Sequence, residues 1–305
     1  MLPVDVEHLL QAAFPSQPIG GFAATTGGFS NLTAIMTIGA RRCVIKAAAT
    51  TLKRADLRRE AALLRLVQHS DLPIPRLLAL IEDEDWTIAV TRWVAGEHGL
   101  AVLERAPERL AALYHQLGLL LAQVHRTPLA APARAPQLED RMRQTLAGLP
   151  ALALESDLSA ALREALEHPI WRAQPHGLAH GDIGLHNLLW DGRITALLDW
   201  EWAGWGTRLL DLAWLYWTIQ WRSLPPALWQ SFLAGYDAGP ALANGATPDE
   251  LRALALGQIA SILARARGQP SAWAEWRRRL RWTLELAFPG LSNMSSGSDS
   301  TSNGY

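Results

Sequence analysis

Cysteine is nearly absent. Cys43 is the only one in 305 residues, which excludes an internal disulfide framework and a cysteine metal cluster and gives no sign of an oxidising compartment. Net charge is nearly absent too: a formal value of -1 offers no global attraction to nucleic acid or to an anionic membrane, so neither partner is expected and any basic ligand site must be local. No apolar run approaches the roughly 20 residues needed to span a bilayer. The start, MLPVDVEHLL, carries Asp5 and Glu7, lacks a basic stretch and runs on to Pro15 and Pro18, unlike a secretory signal peptide. A soluble, cytoplasmic protein is the expectation. With 49% hydrophobic and 19% charged residues the chain has a globular balance, and its length favours one large domain or two lobes sharing an interface.

What is present changes character along the chain. Residues 19–48, IGGFAATTGGFSNLTAIMTIGARRCVIKAA, mix Gly-rich turns with runs of Ile, Thr and Val, the pattern of antiparallel strands on tight connections. From Leu52 the period changes. In LKRADLRREAALLRLVQH, Leu57, Ala61, Leu64 and Val67 or Gln68 recur at helical spacing with Asp56 in the first turn, so an amphipathic helix is expected to end before LPIPR. A further strand pair is expected at RLLALIED and WTIAVTRWV. After Gly96 helical patterns dominate: LERAPERLAALYHQLGLLLAQVH reads as one long amphipathic segment and residues 155–168 as another. Strands before helices argue for an α+β, two-lobed protein with its boundary near Val94 to Gly99. Residues 1–96 form the expected first lobe and 97–290 the second, while the Ser/Gly-rich 291–305 read as a disordered tail.

Inside the helical half lies one island of another kind, HGLAHGDIGLHNLLWDGRITALLDWEWAG. NLLW and ITALLDW are strand-like pieces joined by Asp191-Gly192, a hairpin signal. The hairpin brings Asn187 and Asp199 to neighbouring strand ends, with Asp182 in the loop just before. Two carboxylates and an amide suit a hard cation such as Mg²⁺ better than zinc. Phosphoryl transfer needs such a cation together with a separate carboxylate that accepts a hydrogen bond from the attacking hydroxyl, and Asp182 can be that group. The histidines His176, His180 and His186 open a metal-hydrolase reading, yet their spacing is neither HExxH nor a Cys/His pattern.

HGDIGLHN followed by LLDWE resembles the HGDxxxxN and DWE elements of the aminoglycoside phosphotransferase and choline kinase family, relatives of the protein kinases. The resemblance implies a two-lobed protein-kinase-like fold, with an N-terminal antiparallel sheet plus helix and a larger, mostly helical C-terminal lobe. It implies an enzyme that uses ATP and Mg²⁺, with Asp182 as catalytic base or hydroxyl-orienting residue and Asn187 and Asp199 on the metal. Asp211 in LLDLAWL matches the family's structural aspartate, expected to brace the catalytic loop, and His125 in LAQVHRTP a structural position at a helix end. By the same resemblance Lys46 in CVIK is the phosphate-binding lysine, Glu60 its helix-borne partner, and Gly27, Gly28, Ser30 and Asn31 in TTGGFSNLT the phosphate loop. Adenine is expected on the backbone of Arg92, Trp93 and Val94. Gly181 stands where a protein kinase carries the HRD arginine, and the interval from Asp199 to Asp211 is too short for a phosphorylated activation loop, which favours a small-molecule substrate.

The acceptor is read from tryptophans and charge. Most of the 14 Trp are expected in the core, but Glu201 and Trp202, with Trp273, Glu275 and Trp276 on a later helix, offer an aromatic and acidic site for a cationic alcohol. DWEWAGWG also looks closer to the DWEYAG of choline and thiamine kinases. The expected activity is phosphorylation of a choline-, ethanolamine- or thiamine-like amino alcohol. The alternatives are an aminoglycoside, macrolide or sugar kinase of the same fold, and a nucleotide-binding pseudokinase without turnover. The Arg-rich run RRRLRW at Arg277 to Trp282 weakens a polycation-binding argument. Oligomeric state is not legible.

Overall fold

The computed structural model describes residues 3–24, 32–173, 175–236 and 245–291. The expected phosphate-loop residues Gly27, Gly28, Ser30 and Asn31 lie outside these, as does the tail beyond Leu291. Helix α1 (Val4–Ala13) precedes strands β1 (Ile19–Ala24), β2 (Leu32–Ile38) and β3 (Arg41–Ala48), helix α2 (Thr51–Val67), and strands β4 (Leu77–Glu82) and β5 (Thr87–Arg92). The five strands form one antiparallel sheet in the order β1-β2-β3-β5-β4.

Alternation along β3 decides what each face of this sheet does. Cys43, Ile45 and Ala47 point to one side, where they bury with Ala34, Met36 and Ile38 of β2 against Val6 and Leu10 of α1. Lys46 therefore points to the other side, where Ala48 and Ala89 meet Leu57 of α2. Thr50 caps α2 by accepting from the Lys53 amide, so the helix starts at Thr51 and Asp56 falls beyond the first turn expected for it. It is fully buried there.

The short strand β6 (Glu97–His98) leads into α3 (Gly99–Arg105). The single long helix expected from Leu103 to His125 is instead two. Pro107 has no amide hydrogen to continue the ladder, α3 stops at Arg105, and α4 (Leu110–Arg126) starts afresh. Helices α5 (Leu138–Gly148) and α6 (Ser156–Glu167) follow. Next come β7 (His176–Ala179), the hairpin β8 (Leu188–Trp190) and β9 (Ile194–Leu197), and β10 (Gly204–Thr207). The expected hairpin is present and gains β6 as a third strand, so the chain joins the helical half by a strand pair, Glu97 opposite Trp190 and His98 opposite Leu189. The β7–β10 ladder was not expected, because HGLA and GWGT are too short and too Gly-rich to show a strand period.

Helices α7 (Leu209–Trp221), α8 (Ala227–Tyr236), α9 (Pro248–Ala266) and α10 (Pro270–Glu285) complete the larger core, which most of the buried tryptophans join. The fold is α+β and protein-kinase-like, with an antiparallel N-terminal sheet and a mostly helical remainder. No helix among the described residues is long and apolar enough to cross a membrane. Helices α4 and α8 cross backbone to backbone: a Cβ on Gly118 would land on the Phe232 carbonyl, and one on Gly235 on the His115 carbonyl. Gly235→Ala is expected to cost about 1–3 kcal/mol by forcing the helices apart, a loss readable by thermal denaturation.

Candidate active site

The site is built around the loop between β7 and β8. Its anchor is Asp211 in the first turn of α7, fully buried. The amides of His180 and Gly181 donate to its two carboxylate oxygens at 2.8 and 2.7 Å, and the His125 Nε2 lies 2.9 Å from Oδ2. Burial raises the Asp211 carboxyl, but these donors and the His125 and His180 rings outweigh it and hold the group below the usual carboxylate range. Burial pushes the His125 imidazole down, and its two ring nitrogens face the carboxylate and the Tyr236 hydroxyl, the latter 2.6 Å from Nδ1. A chain of hydrogen bonds thus runs from α8 through α4 and α7 to the loop, the bracing expected of Asp211 and His125.

The loop turns at Gly181, whose φ of +79° and contact with the Trp202 carbonyl leave no room for a Cβ. Its own carbonyl accepts from Gln258 of α9 at 2.8 Å. Asp182 follows. Its amide donates to His180 Nδ1, which directs the Nε2–H of that ring to the Leu198 carbonyl at 2.8 Å. The Asp182 carboxylate is held from three sides: Trp214 Nε1 donates to Oδ1 at 2.9 Å, Asn187 Nδ2 donates to Oδ2 at 3.0 Å, and His186 Nε2 lies 3.1 Å from Oδ2. Burial alone would raise this carboxyl, but His186, His180 and the Trp214 N–H keep it well below the usual range, so it is an anion. His186 is shifted the opposite way, above the ordinary histidine range, because the Asp182 charge outweighs its burial.

Asn187 uses its amide N–H groups on the Asp182 carbonyl and carboxylate, which turns its Oδ1 away from them. The Leu198 amide donates to the Asn187 carbonyl at 2.8 Å, so Asp199, the next residue, is placed beside Asn187. Asp199 has a left-handed backbone, φ 60° and ψ 71°. Its Oδ1 meets Lys46 Nζ at 3.0 Å.

Lys46 joins the two halves of the molecule. Its ammonium donates to Glu60 Oε1 and Oε2 at 2.9 and 3.0 Å as well as to Asp199. Burial disfavours the charge, but Asp199 and Glu60 overcome it and hold the lysine above its usual range. Glu60 Oε1 also accepts from the Trp200 amide. The structure thus brings Lys46, Glu60 and Asp199 together, and Asp182, Asn187 and Asp199 onto one loop-and-hairpin unit. At the link between the halves, the amides of Arg92 and Trp93 donate to the Arg76 and Arg42 carbonyls. Of the three residues expected to meet adenine through the backbone, only Val94 keeps an amide without a backbone acceptor among the described residues.

The aromatic and acidic site expected for a cationic alcohol is not assembled. Trp202 is buried with the Arg265 guanidinium 3.5 Å over its ring, and Glu201 forms an ion pair with the same arginine. Burial and the Asp199 charge push the Glu201 carboxyl up to about 7. Trp276 lies elsewhere, stacked on Trp214 and Trp217 with Arg279 4.4 Å over its ring. Trp273 packs at the edge of the core, and Glu275 is engaged by Arg278 and Arg279. Both aromatic faces already hold a guanidinium where a substrate cation would sit.

The residues that sequence reading missed are Trp214, Gln258 and Arg265. Trp214 had a usable signal, being one helical turn after Asp211 on the same helix. Gln258 and Arg265 had none, because they reach the loop region from a distant helix.

Compared with known proteins, the sequence matches the model of the family described as "APH: Phosphotransferase enzyme family" over residues 22–254. No curated protein matches it. Among solved structures, a ternary complex of the aminoglycoside phosphotransferase APH(4)-Ia mutant with ADP and hygromycin B superposes with a TM-score of 0.69 at 19% identity, covering 92% of this chain and 98% of that one. An aminoglycoside-3'-phosphotransferase of type VIII gives 0.66 at 22% identity, over 85% and 100% of the two chains. A gentamicin complex of APH(2")-IIa gives 0.68 at 13% identity, over 92% and 96%. Identities this low establish the shared fold.

Proposed function

The chain belongs to the phosphotransferase enzyme family, and from that premise we propose that it moves the γ-phosphoryl group of ATP to a hydroxyl of a small molecule. The observation that carries this reading is the ion-pair set at Lys46, which ties Glu60 of α2 to Asp199 beside Asn187. It gives a fixed cation for nucleotide phosphates next to a pair of oxygen donors. Residues 1–96 are the nucleotide-binding lobe, with Lys46 oriented by Glu60 and Val94 offering its amide to adenine. Residues 97–290 carry the catalytic and acceptor-binding groups.

Asp199 and the Asn187 Oδ1 fit Mg²⁺: both are hard oxygen donors, and two protein ligands suffice for an ion that completes its shell with phosphate oxygens and water. When bound there, Mg²⁺ neutralises charge on the phosphates. The chain's own residues do the rest. Asp182, held as an anion by Trp214, Asn187 and His186, accepts the hydrogen bond of the acceptor hydroxyl and takes its proton as the new O–P bond forms and the bond to the β-phosphate oxygen breaks. Lys46 offsets the charge that develops on the departing ADP. Because the transition state is largely dissociative, placement and electrostatics contribute more than base strength.

For the acceptor, a hydroxyl-rich ring compound of the aminoglycoside, macrolide or sugar type fits better than choline, ethanolamine or thiamine. Arginines occupy the Trp202 and Trp276 faces expected to take a quaternary amine, and the structural neighbours include complexes with hygromycin B and gentamicin. A Mg²⁺-dependent ATP-consumption screen across amino alcohols, thiamine, aminoglycosides, macrolides and sugars tests this. Turnover is expected in the ring-compound arms, and turnover confined to choline or ethanolamine overturns the acceptor assignment. In the productive arm, Lys46→Met is expected to lower kcat/KM for ATP by roughly 10–150-fold, the worth of a lost charge-assisted hydrogen bond. An unchanged value would remove Lys46 from the mechanism.

A further inference from the structure

Arg265, near the end of α9, touches no residue of the proposed reaction. Its Nη2 lies 3.1 Å from Oδ1 of Asp56 on α2, its Nη1 lies 3.6 Å from Oε1 of Glu201, and its guanidinium covers the Trp202 ring at 3.5 Å. Asp56 is fully buried. Its other cationic partners, Lys53 and Arg59, come from its own helix, so Arg265 is the partner of Asp56 that comes from the helical lobe.

The placement of these groups is systematic. Asp56 and Glu60 are one turn apart on α2 and face the same way. Gln258 and Arg265 are two turns apart on one face of α9, about 10 Å along its axis. Gln258 holds the Gly181 carbonyl at 2.8 Å, one residue before Asp182. It also accepts from Arg141, whose other nitrogen donates to the Trp202 carbonyl. One helix face thus fixes the Asp182 loop at one level and, two turns on, both α2 and the segment just after Asp199.

A buried ion pair is a poor way to gain stability, because desolvation offsets most of the attraction and an apolar pair of similar volume serves as well or better. Its directionality is what an apolar contact lacks. We infer that Arg265 is a positioning residue: through Asp56 it sets where α2 stands against the helical lobe, and so holds Glu60 where it can orient Lys46 toward Asp199. The inference rests on the proposed phosphotransferase reading for its kinetic consequence and on geometry alone for its structural one.

The test is a cycle of Arg265→Gln and Glu60→Gln in the full chain. In the parent, Arg265→Gln is expected to lower kcat/KM for ATP at least tenfold with KM for the acceptor unchanged. In the Glu60→Gln background the same change is expected to cost less than twofold, because the group it acts through is gone. Equal losses in both backgrounds mean general structural support and overturn the inference. Arg265→Lys, which keeps the charge and loses the fork geometry, is expected to fold and to fall between the two; failure to fold also counts against a positioning role. A second measurement needs no turnover. Hydrogen exchange in Arg265→Gln is expected to accelerate at least tenfold across α2 while β2 and β3 and α4 keep their protection, whether or not any acceptor is phosphorylated. Unchanged α2 protection overturns the inference even if the phosphotransferase reading stands, and a silent acceptor screen with accelerated α2 exchange separates failure of that reading from failure of this one.

Discussion

Asp182→Ala is expected to lower turnover by roughly 10²–10⁴-fold while ATP affinity stays within about twofold of the parent. The reason lies in what surrounds the carboxylate. Asp182 is held by Trp214, Asn187 and His186 and makes no hydrogen bond to Lys46 or Asp199, and Asn187 keeps its other bond, to the Asp182 backbone carbonyl, so the proposed nucleotide and metal contacts are expected to survive removal of the side chain. What disappears is the acceptor for the hydroxyl proton. Two measurements check this: nucleotide titration, and kcat with the acceptor identified by the screen. Weakened ATP binding in parallel with turnover would show that the loop as a whole had moved. Retained turnover would remove Asp182 from the chemistry.

Asp211→Ala is expected to have the largest effect on stability, about 3–5 kcal/mol, because it breaks a buried ionic and hydrogen-bonded cluster on one side only. The His180 and Gly181 amides and His125 would all lose their acceptor. For a chain of this size such a loss corresponds to a drop of roughly 5–8 °C in melting temperature. Asp211→Asn keeps the shape and one acceptor oxygen, yet it sets an NH₂ group against backbone donors. It is expected to melt between the parent and Asp211→Ala, with turnover falling more than ATP affinity because the loop it releases carries Asp182. Thermal denaturation and nucleotide titration of the two variants check the order. Equal melting of parent and Asp211→Ala would show that the other loop contacts, from Gln258, Trp214 and the His180 ring, hold the loop without Asp211.

The parts of this molecule legible in the sequence share a physical trait: they are set by local pattern. Alternation in β2 and β3, the 3.6-residue period of α2 and the Asp191-Gly192 turn each act over a few residues, and the structure bears them out. Glu60 was legible through the resemblance that makes it the helix-borne partner of Lys46, which it meets. Pro107 was equally visible and was underweighted, so one helix was expected where two exist. The β7–β10 ladder stayed hidden because its strands are four residues each and carry three glycines between them, and only pairing with each other defines them. The acceptor expectation went astray for a different reason. A tryptophan face free in the sequence can be filled by an arginine from anywhere in the chain, and Arg265 and Arg279 do this to Trp202 and Trp276.

The same ladder bears on how such a protein is governed. Gly204 to Thr207 zip onto Ala179 to His176 directly after the Asp199 segment, and α7 begins two residues later. No stretch of chain is left there to swing in or out on command.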